Sequence, residues 1–483
     1  MTPPAVVVGG SVAGLATASA LAQRGVPVRV LERSAPPPDG PPVEVAASWR
    51  RPTVPQGGHS HILTSLGVRV LRRSAPRVLE EAMEQGAALV DLTLAAPRTG
   101  AEGGRGVEDP DLVALAIRRT LLELLLRRAT QAVAHVTLEH RTSVRGLLRD
   151  ASGTRAAGVV TEGGTQVPAR FVIDATGRRA ASASWLRRAE LAPGNDLVGP
   201  TELRGFTRFY RLRTPRGTWP GELNRGNAAG GIWDHYAAVV HPADNGTFAL
   251  TLAVPTGDRA LNSLRHPGAF TTVARLSPHV AEWVDERVAY PVTNVRAITV
   301  PPNIRRATAR SAGERLAGLY PVGDAACVTD PLYGRGLSLA LAHAFRLAEL
   351  LDAYPSVGEE QSARAVELAE RVYGPWFEQA VHDSAARARR WRAHVEGTAP
   401  PVEPAAAPSG RPSMAEAAHA AATDPAVWHG LTCLLMGLRT PADVLDAPAF
   451  RERVRAAGPA LAGRTSAPSR AALVGALAGV AGV

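Results

Sequence analysis

A chain of 483 residues, 45% of them hydrophobic, is long enough for two or three domains with a substantial core. Its formal charge of +10 comes from 54 basic residues, all arginine. The absence of lysine excludes a Schiff-base enzyme and a Walker-type phosphate loop, and arginines scattered among Ala, Leu and Glu without an aromatic platform imply a solvated surface and no nucleic-acid role. Cys327 and Cys433 are too few for a disulfide framework, and with no signal peptide expected ahead of the first strand the expected compartment is the cytoplasm.

The chain opens on AVVVGGSVAGLATASALAQRGVPVRVLER, Ala5 to Arg33: a buried strand, a glycine turn, a helix, and a second strand ending in an acid. Val6, Val7 and Val8 suit the centre of a parallel sheet. Gly9 and Gly10 allow the turn, and Gly14 lets helix and strand approach. The free N–H groups of the helix then face the turn, where a pyrophosphate accepts them. Glu32, 23 residues beyond Gly9, stands where a carboxylate accepts from ribose hydroxyls, which favours FAD or NAD. Ser11 occupies the middle glycine position of G-x-G-x-x-G, and its hydroxyl is expected to donate to the phosphate. Gly9, Ser11, Ala13, Gly14, Glu32 and Arg33 are the candidate nucleotide contacts.

After a Pro-rich connection, WRRPTVPQGGHSHIL (Trp49 to Leu63) gathers Arg51, Gln56, His59 and His61 in one loop. Such a loop either crosses the cofactor or is a turn-rich surface segment. Leu63 to Leu79 and Asp111 to Ala132 read as helical, Gly86 to Ala96 as a short strand before the glycine-rich RTGAEGGRG, and Val136 to Leu138 and Ser143 to Leu147 as strands. Ala157 to Glu162 with Gln166 to Ile173 reads as a hairpin that ends on Asp174-Ala175-Thr176-Gly177-Arg178, a polar break at the end of a buried strand, where open α/β sheets place ligands.

Composition shifts at Trp185. Ten of the 23 aromatic residues lie between Phe206 and Tyr290, and Gly205 to Arg213, Gly231 to His241 and Thr247 to Pro255 read as an antiparallel sheet. Phe209, Trp233, Tyr236 and Phe248 are candidates for a substrate pocket, although aromatics on a sheet are more often core. The chain then returns through strand Leu316 to Val322 into Gly323-Asp324, and through Asp330-Pro331-Leu332-Tyr333-Gly334-Arg335-Gly336 into helix Leu337 to Leu351. That second glycine turn opens a second helix N-terminus. Helices follow over Glu359 to Val395, then a Pro/Ala linker (397–413), short helices broken at Pro425, Pro441 and Pro448, and an apolar tail expected to dock or fray, a membrane-surface contact being the alternative.

GGSVAG with Glu32, the Asp174 break, and Gly323-Asp324 followed by Pro331 and Gly334-Arg335-Gly336 together resemble the single-component FAD-dependent monooxygenases of the aromatic-hydroxylase and squalene-epoxidase type. The resemblance covers roughly residues 5 to 350. It implies an α/β fold: a Rossmann-type FAD-binding domain (1–185 and 301–353) interrupted by an antiparallel β-sheet substrate domain (186–300), with a helical C-terminal region (354–483). It also implies FAD contacts at Asp324, Pro331, Gly334, Gly336, Asp174, Ala175, Thr176 and Gly177, a contacting arginine at Arg118, and an adenine-side backbone contact near Val144. Asp174-Ala175-Thr176-Gly177 departs from the usual Asp-Gly and is closer to the reductase and halogenase branches. The halogenases need a lysine and usually W-x-W-x-I-P, and neither is present. PQGGHSHIL and DPLYGRGLSLALAHA are similar to stretches of bacterial secondary-metabolite oxygenases, including epoxidases of polyether-ionophore precursors. The activity so implied is epoxidation of a small apolar polyene through a C4a-hydroperoxyflavin, with O2 as co-substrate and electrons from NAD(P)H or a separate reductase. Alternatives are phenol hydroxylation, for which His59, His61 or Tyr236 is the candidate base, and alkene reduction; Arg51 is a further catalytic candidate, expected with Gln56 or His59 to contact the flavin ring or close over it. No metal is expected.

Overall fold

The computed structural model describes residues 3–97, 107–214, 219–307, 316–399, 410–458 and 467–481. RTGAEGGRG and most of the Pro/Ala linker lie outside the described residues.

The protein is mixed α/β, with a parallel sheet, a large antiparallel sheet and a helical C-terminal region. The parallel sheet runs in the order Leu319–Pro321, Val172–Asp174, Ala5–Val8, Val28–Leu31, Val136–Glu139. Its central strand is a fully buried valine run, as a strand covered on both faces must be. Helix Val12–Ala22 is buried at every residue but Ala13, because it lies under the sheet and against helices Arg119–Gln131 and Gly336–Ala353. A helix apolar all round needs such enclosure. Gly14 makes the contact possible: a Cβ there would stand 1.9 Å from the Gly9 carbonyl oxygen.

Three readings of the sequence need correction. Leu63 to Leu79 is two helices, Ser65–Ser74 and Pro76–Glu84, since Pro76 cannot continue the first. Asp111 to Ala132 begins with a strand, Val113–Ala116, paired antiparallel with Ala88–Asp91, and turns helical only at Arg119. Its leucines suit either element, and pairing decided between them. Gln166 to Ile173 divides at Pro168: Gln166–Pro168 closes a small antiparallel sheet with Ala156–Thr161, while Val172–Asp174 joins the parallel sheet.

The antiparallel sheet has the order Ala229–Ile232, Ala237–Pro242, Thr247–Pro255, Leu203–Leu212, Ala289–Pro291, with Arg296–Thr299 also on Leu203–Leu212. One face packs Phe206, Tyr210, Phe248, Leu250 and Leu252 against helix Pro267–Leu276. The apolar tail, helix Arg470–Ala481, docks on the same core through buried Leu473 and Leu477, and Arg470 pairs with buried Asp258. No helix among the described residues is long and apolar enough to cross a membrane.

The 38-residue helix Glu359–Glu396 spans about 57 Å and touches both halves. Tyr373 accepts from the Gly323 N–H at 3.1 Å, Arg387 pairs with buried Asp330 at 2.6 Å, and the Trp391 indole donates to the Trp233 carbonyl at 2.7 Å. Beyond it, Pro425, Pro441 and Pro448 each begin a helix, the position where a missing N–H costs least.

Candidate functional site

A cavity of about 410 Å³ lies between the carboxyl ends of the parallel strands and one face of the antiparallel sheet. Val8, Leu31, Ala175 and Val322 bring four strand ends to its rim, the expected ligand position of an open parallel sheet. Gly9 turns the first strand toward it at φ +113°, and a Cβ there would meet the Ala175 carbonyl oxygen at 2.3 Å, so only glycine fits. Two helices start at the cavity. Ser11 and Arg335, which precede Val12–Ala22 and Gly336–Ala353, make no side-chain cap bond, so the first-turn N–H groups remain available to an anionic or carbonyl oxygen.

Around the first helix start lies a buried ionic network. Glu32 accepts from the Gly10 N–H at 2.7 Å and the Ser34 N–H at 2.8 Å. Burial would raise its carboxyl, but Arg51 and these N–H groups hold it below the ordinary value. Arg51 reaches Glu32 at 3.5 Å and Glu123 at 2.6 Å. Glu123 also pairs with Arg119 at 2.8 Å and accepts from Ser11 at 3.0 Å, while Arg119 donates to Ser11 at 2.9 Å. Ser11 thus spends its hydroxyl on protein partners, not in reserve for a phosphate. At the far end, burial pushes the Asp324 carboxyl up against the pull of Arg178 and Arg119. Gln56 donates to Asp324 at 3.3 Å, while its own oxygen is buried without a partner among the described residues.

The opposite wall is polar. His59 shares a hydrogen bond with Thr207 at 2.9 Å, and Thr207 with Thr251 at 2.8 Å. His61 donates to the His59 carbonyl at 2.9 Å, and Ser60 bonds His241 at 2.6 Å. Burial, reinforced by Arg296 and Arg178, lowers His59 to about 4. Burial then Arg119 lowers His61 to about 3, and burial then Arg225 lowers His241 to about 3. All three are neutral at pH 7.

Most residues singled out in the sequence line this cavity: Gly9, Ser11, Ala13, Glu32, Arg33, Arg51, Gln56, His59, His61, Val144, Ala175, Thr176, Gly177, Asp324, Pro331, Gly334 and Gly336. Gly14, also a candidate contact, does not line it and serves the packing of helix on strand instead, and neither does Asp174. Its carboxylate accepts from the N–H groups of Thr176 and Ser182 and so shapes the turn that does. Arg118 is a correction: its guanidinium and N–H both bind buried Asp244, and the next residue, Arg119, lines the cavity. The aromatic candidates are a second correction. Strand side chains alternate, and Leu203, Gly205, Thr207, Val239, His241, Thr251 and Ala253 take the cavity face. Phe248 and Tyr236 are fully buried in the core of the opposite face, where Tyr236 bonds Ser277, and the Trp233 ring packs tilted against Tyr236 with centroids 4.8 Å apart. Phe209 shares the parity of the cavity face but is not part of the lining. Tyr236→Phe is therefore expected to leave turnover unchanged and to cost about 1 kcal/mol for the lost buried hydrogen bond, read by thermal unfolding beside a turnover assay.

Sequence reasoning missed Glu123, Arg119, Thr207, Thr251 and His241, while Arg178, the last residue of the polar break after Val172–Asp174, does line the cavity. The i, i+4 pair Arg119–Glu123 was the available signal on the helix. Threonines and a histidine of one parity within apolar strands were the signal on the sheet.

The residues present fit FAD. The helix N-termini suit a pyrophosphate and a ring carbonyl, Glu32 a ribose, and Asp324 a hydroxylated chain. Residues 2–196 match the family model described as an FAD binding domain, so this part of the chain is an FAD-binding domain and the cofactor is FAD. A search of curated proteins finds no match. Among solved structures, the myxobacterial chondrochloren halogenase CndH is similar at TM-score 0.58 and 20% identity, over 98% of this chain and 99% of that one. OxyS anhydrotetracycline hydroxylase from Streptomyces rimosus gives 0.57 and 17%, over 91% and 77%. PqsL from Pseudomonas aeruginosa, described as a probable FAD-dependent monooxygenase, gives 0.55 and 16%, over 82% and 100%. These likenesses establish a shared fold. Asp324→Ala is expected to weaken FAD binding about tenfold to a hundredfold, the loss of a charge-assisted hydrogen bond, measured by quenching of flavin fluorescence during titration.

Proposed function

We propose that this chain is an FAD-dependent monooxygenase that adds one oxygen atom of O2 across an alkene of a polyene- or polyketide-type precursor. Bound reduced FAD supplies the activation of O2 to an electrophilic oxygen. In balance, alkene, O2, NAD(P)H and a proton give epoxide, water and NAD(P)+. A single dinucleotide fingerprint is consistent with a nicotinamide that visits transiently or with a separate reductase.

The chain's own task is to bind, aim and exclude water. The observation that carries the reading is the state of His59, His61 and His241. With values of about 3 to 4 they are too weakly basic to take a proton from a phenol at neutral pH. Alkene epoxidation needs no such base. The neutral imidazoles and the Thr207–Thr251 pair instead offer hydrogen bonds that position an oxygen-bearing substrate beside the flavin. The same polar wall favours, as the second reading, hydroxylation of a phenolic substrate whose hydroxyl it holds. Halogenation has no support here, since the chain has no lysine.

Incubating the FAD-loaded enzyme with NAD(P)H, labelled O2 and parallel panels of polyenes and phenols tests the proposal by mass spectrometry. Epoxidation adds one labelled oxygen to a polyene with no loss of hydrogen. Labelled oxygen on phenols alone supports the second reading. A gain of two hydrogens without label shows a reductase and overturns both.

A further inference from the structure

Outside the cavity, Asp109, His429 and Cys433 bring one carboxylate oxygen, one imidazole nitrogen and one thiol sulfur within 4.8 Å of one another. His429 and Cys433 stand four residues apart on helix Pro425–Leu435 and so share a face. Asp109 reaches them from the loop before strand Val113–Ala116. None of the three lines the cavity.

The geometry converges on a point. The Asp109 Oδ2 and the Cys433 Sγ both approach the same atom, His429 Nε2, at 2.8 and 3.7 Å. A proton relay would engage the two ring nitrogens separately, with the acid on one and the thiol on the other. Three donor atoms of different kinds, all within 4.8 Å of one another, are instead close enough for one ion to touch all three, the spacing of a chelate. Zinc bound tetrahedrally at its usual bond lengths sets a sulfur–nitrogen separation of about 3.5 Å and an oxygen–nitrogen separation of about 3.3 Å. The sulfur is already in place, and the carboxylate needs to withdraw by about half an ångström, within reach of a side-chain torsion on a loop.

We propose that Asp109, His429 and Cys433 form a mononuclear zinc site that ties the C-terminal helices to the FAD-binding domain. Mixed oxygen, nitrogen and sulfur donors suit zinc among the common divalent ions. Zinc–sulfur bond formation releases the Cys433 thiol proton to solvent, while His429 offers a ring-nitrogen lone pair and Asp109 a carboxyl oxygen. Three protein ligands leave a fourth position for water. His429 is 36% exposed on its side chain, which gives the ion a way in. Cys433 itself packs with Leu112, Ala114 and Met436, so the metal would join the two elements that this apolar cluster already holds together.

The test uses the FAD-loaded protein, freed of metal by a chelator and titrated with Co2+. One equivalent is expected to give the visible bands of tetrahedral cobalt with a sulfur charge-transfer band, displaced by Zn2+. Cys433→Ser should abolish the charge-transfer band, and His429→Gln and Asp109→Asn should each weaken binding at least tenfold, while Cys327→Ser keeps the spectrum. An unchanged flavin spectrum in each variant shows that it is folded. Cobalt spectra lacking the sulfur band, or Cys433→Ser and His429→Gln variants that bind like the parent, would overturn the site.

Discussion

Glu123→Ala is expected to destabilise the chain by about 3–5 kcal/mol, because it strips the shared partner from two buried arginines at once. The side chains of Arg51, Arg119 and Glu123 are 3%, 7% and 1% exposed, so water cannot replace the lost carboxylate. Arg51 keeps Glu32, but at 3.5 Å against 2.6 Å to Glu123. Arg119 keeps only the neutral Ser11 hydroxyl among its hydrogen-bond partners near the helix start. Arg127 adds a further buried positive charge close by, its own value lowered to about 10 by burial and then by Arg51. Positive charge left over in this pocket opposes itself, so a variant that removes Arg119 together with Glu123 should recover part of the loss. A double-mutant cycle read by urea unfolding measures that coupling. The same substitution frees Ser11 and shifts Arg119 beside the first helix start, so FAD affinity should change along with stability. Additive losses in the cycle would show that the two side chains act independently.

How much of this was readable beforehand follows from which constraints are local. Gly14 was legible because its steric requirement, clearance of the Gly9 carbonyl, sits within one turn, and Gly9 because its positive φ is a local backbone demand, although the Ala175 carbonyl that also excludes a Cβ there comes from a distant strand. Glu32 was legible because its distance from Gly9 is fixed by one strand–helix–strand unit. Arg118 and Arg119 were not separable by sequence. Both begin a helix, and only the packing of the Asp244 turn against Arg118 decides which one reaches the cavity. The sheet posed a parity problem. Thr247–Pro255 is covered on both faces, so hydrophobicity did not say which face meets the cavity, and the larger side chains drew attention to the wrong one. Glu123 sits 91 positions from Glu32, and their bridge through Arg51 exists only after folding.

Acid should destabilise the protein before its carboxylates titrate, and buried His343 together with the three partly buried histidines of the cavity wall sets the range. His59, His61, His241 and His343 take protons at 6.5 when unfolded but only near 4, 3, 3 and 4 when folded, burial being the first cause in each. Both ring nitrogens of His343 are without a hydrogen-bond partner among the described residues, so no such bond offsets that burial. A lowered histidine value means that the unfolded chain binds protons the native chain refuses. Stability is therefore complete above about pH 6.5 and falls as pH drops toward the folded values. At pH 5 each histidine has cost about 2 kcal/mol, from the 1.5 units below its unfolded value. Four such residues remove about 8 kcal/mol, comparable with the whole net stability of an ordinary domain. Glu32, held low by Arg51 and two N–H groups against its burial, adds to the loss only below the ordinary carboxylate range. Asp324, pushed up by burial, works in the opposite sense, since the folded chain gains when it is protonated. Urea unfolding of the FAD-loaded protein at pH 7.5, 6 and 5 reads the effect directly. His241→Asn and His343→Gln should each flatten the dependence by about one histidine's share. Stability that holds level from pH 7.5 to 5 would mean that these imidazoles are not kept neutral and that the cavity wall is basic enough to deprotonate a phenol.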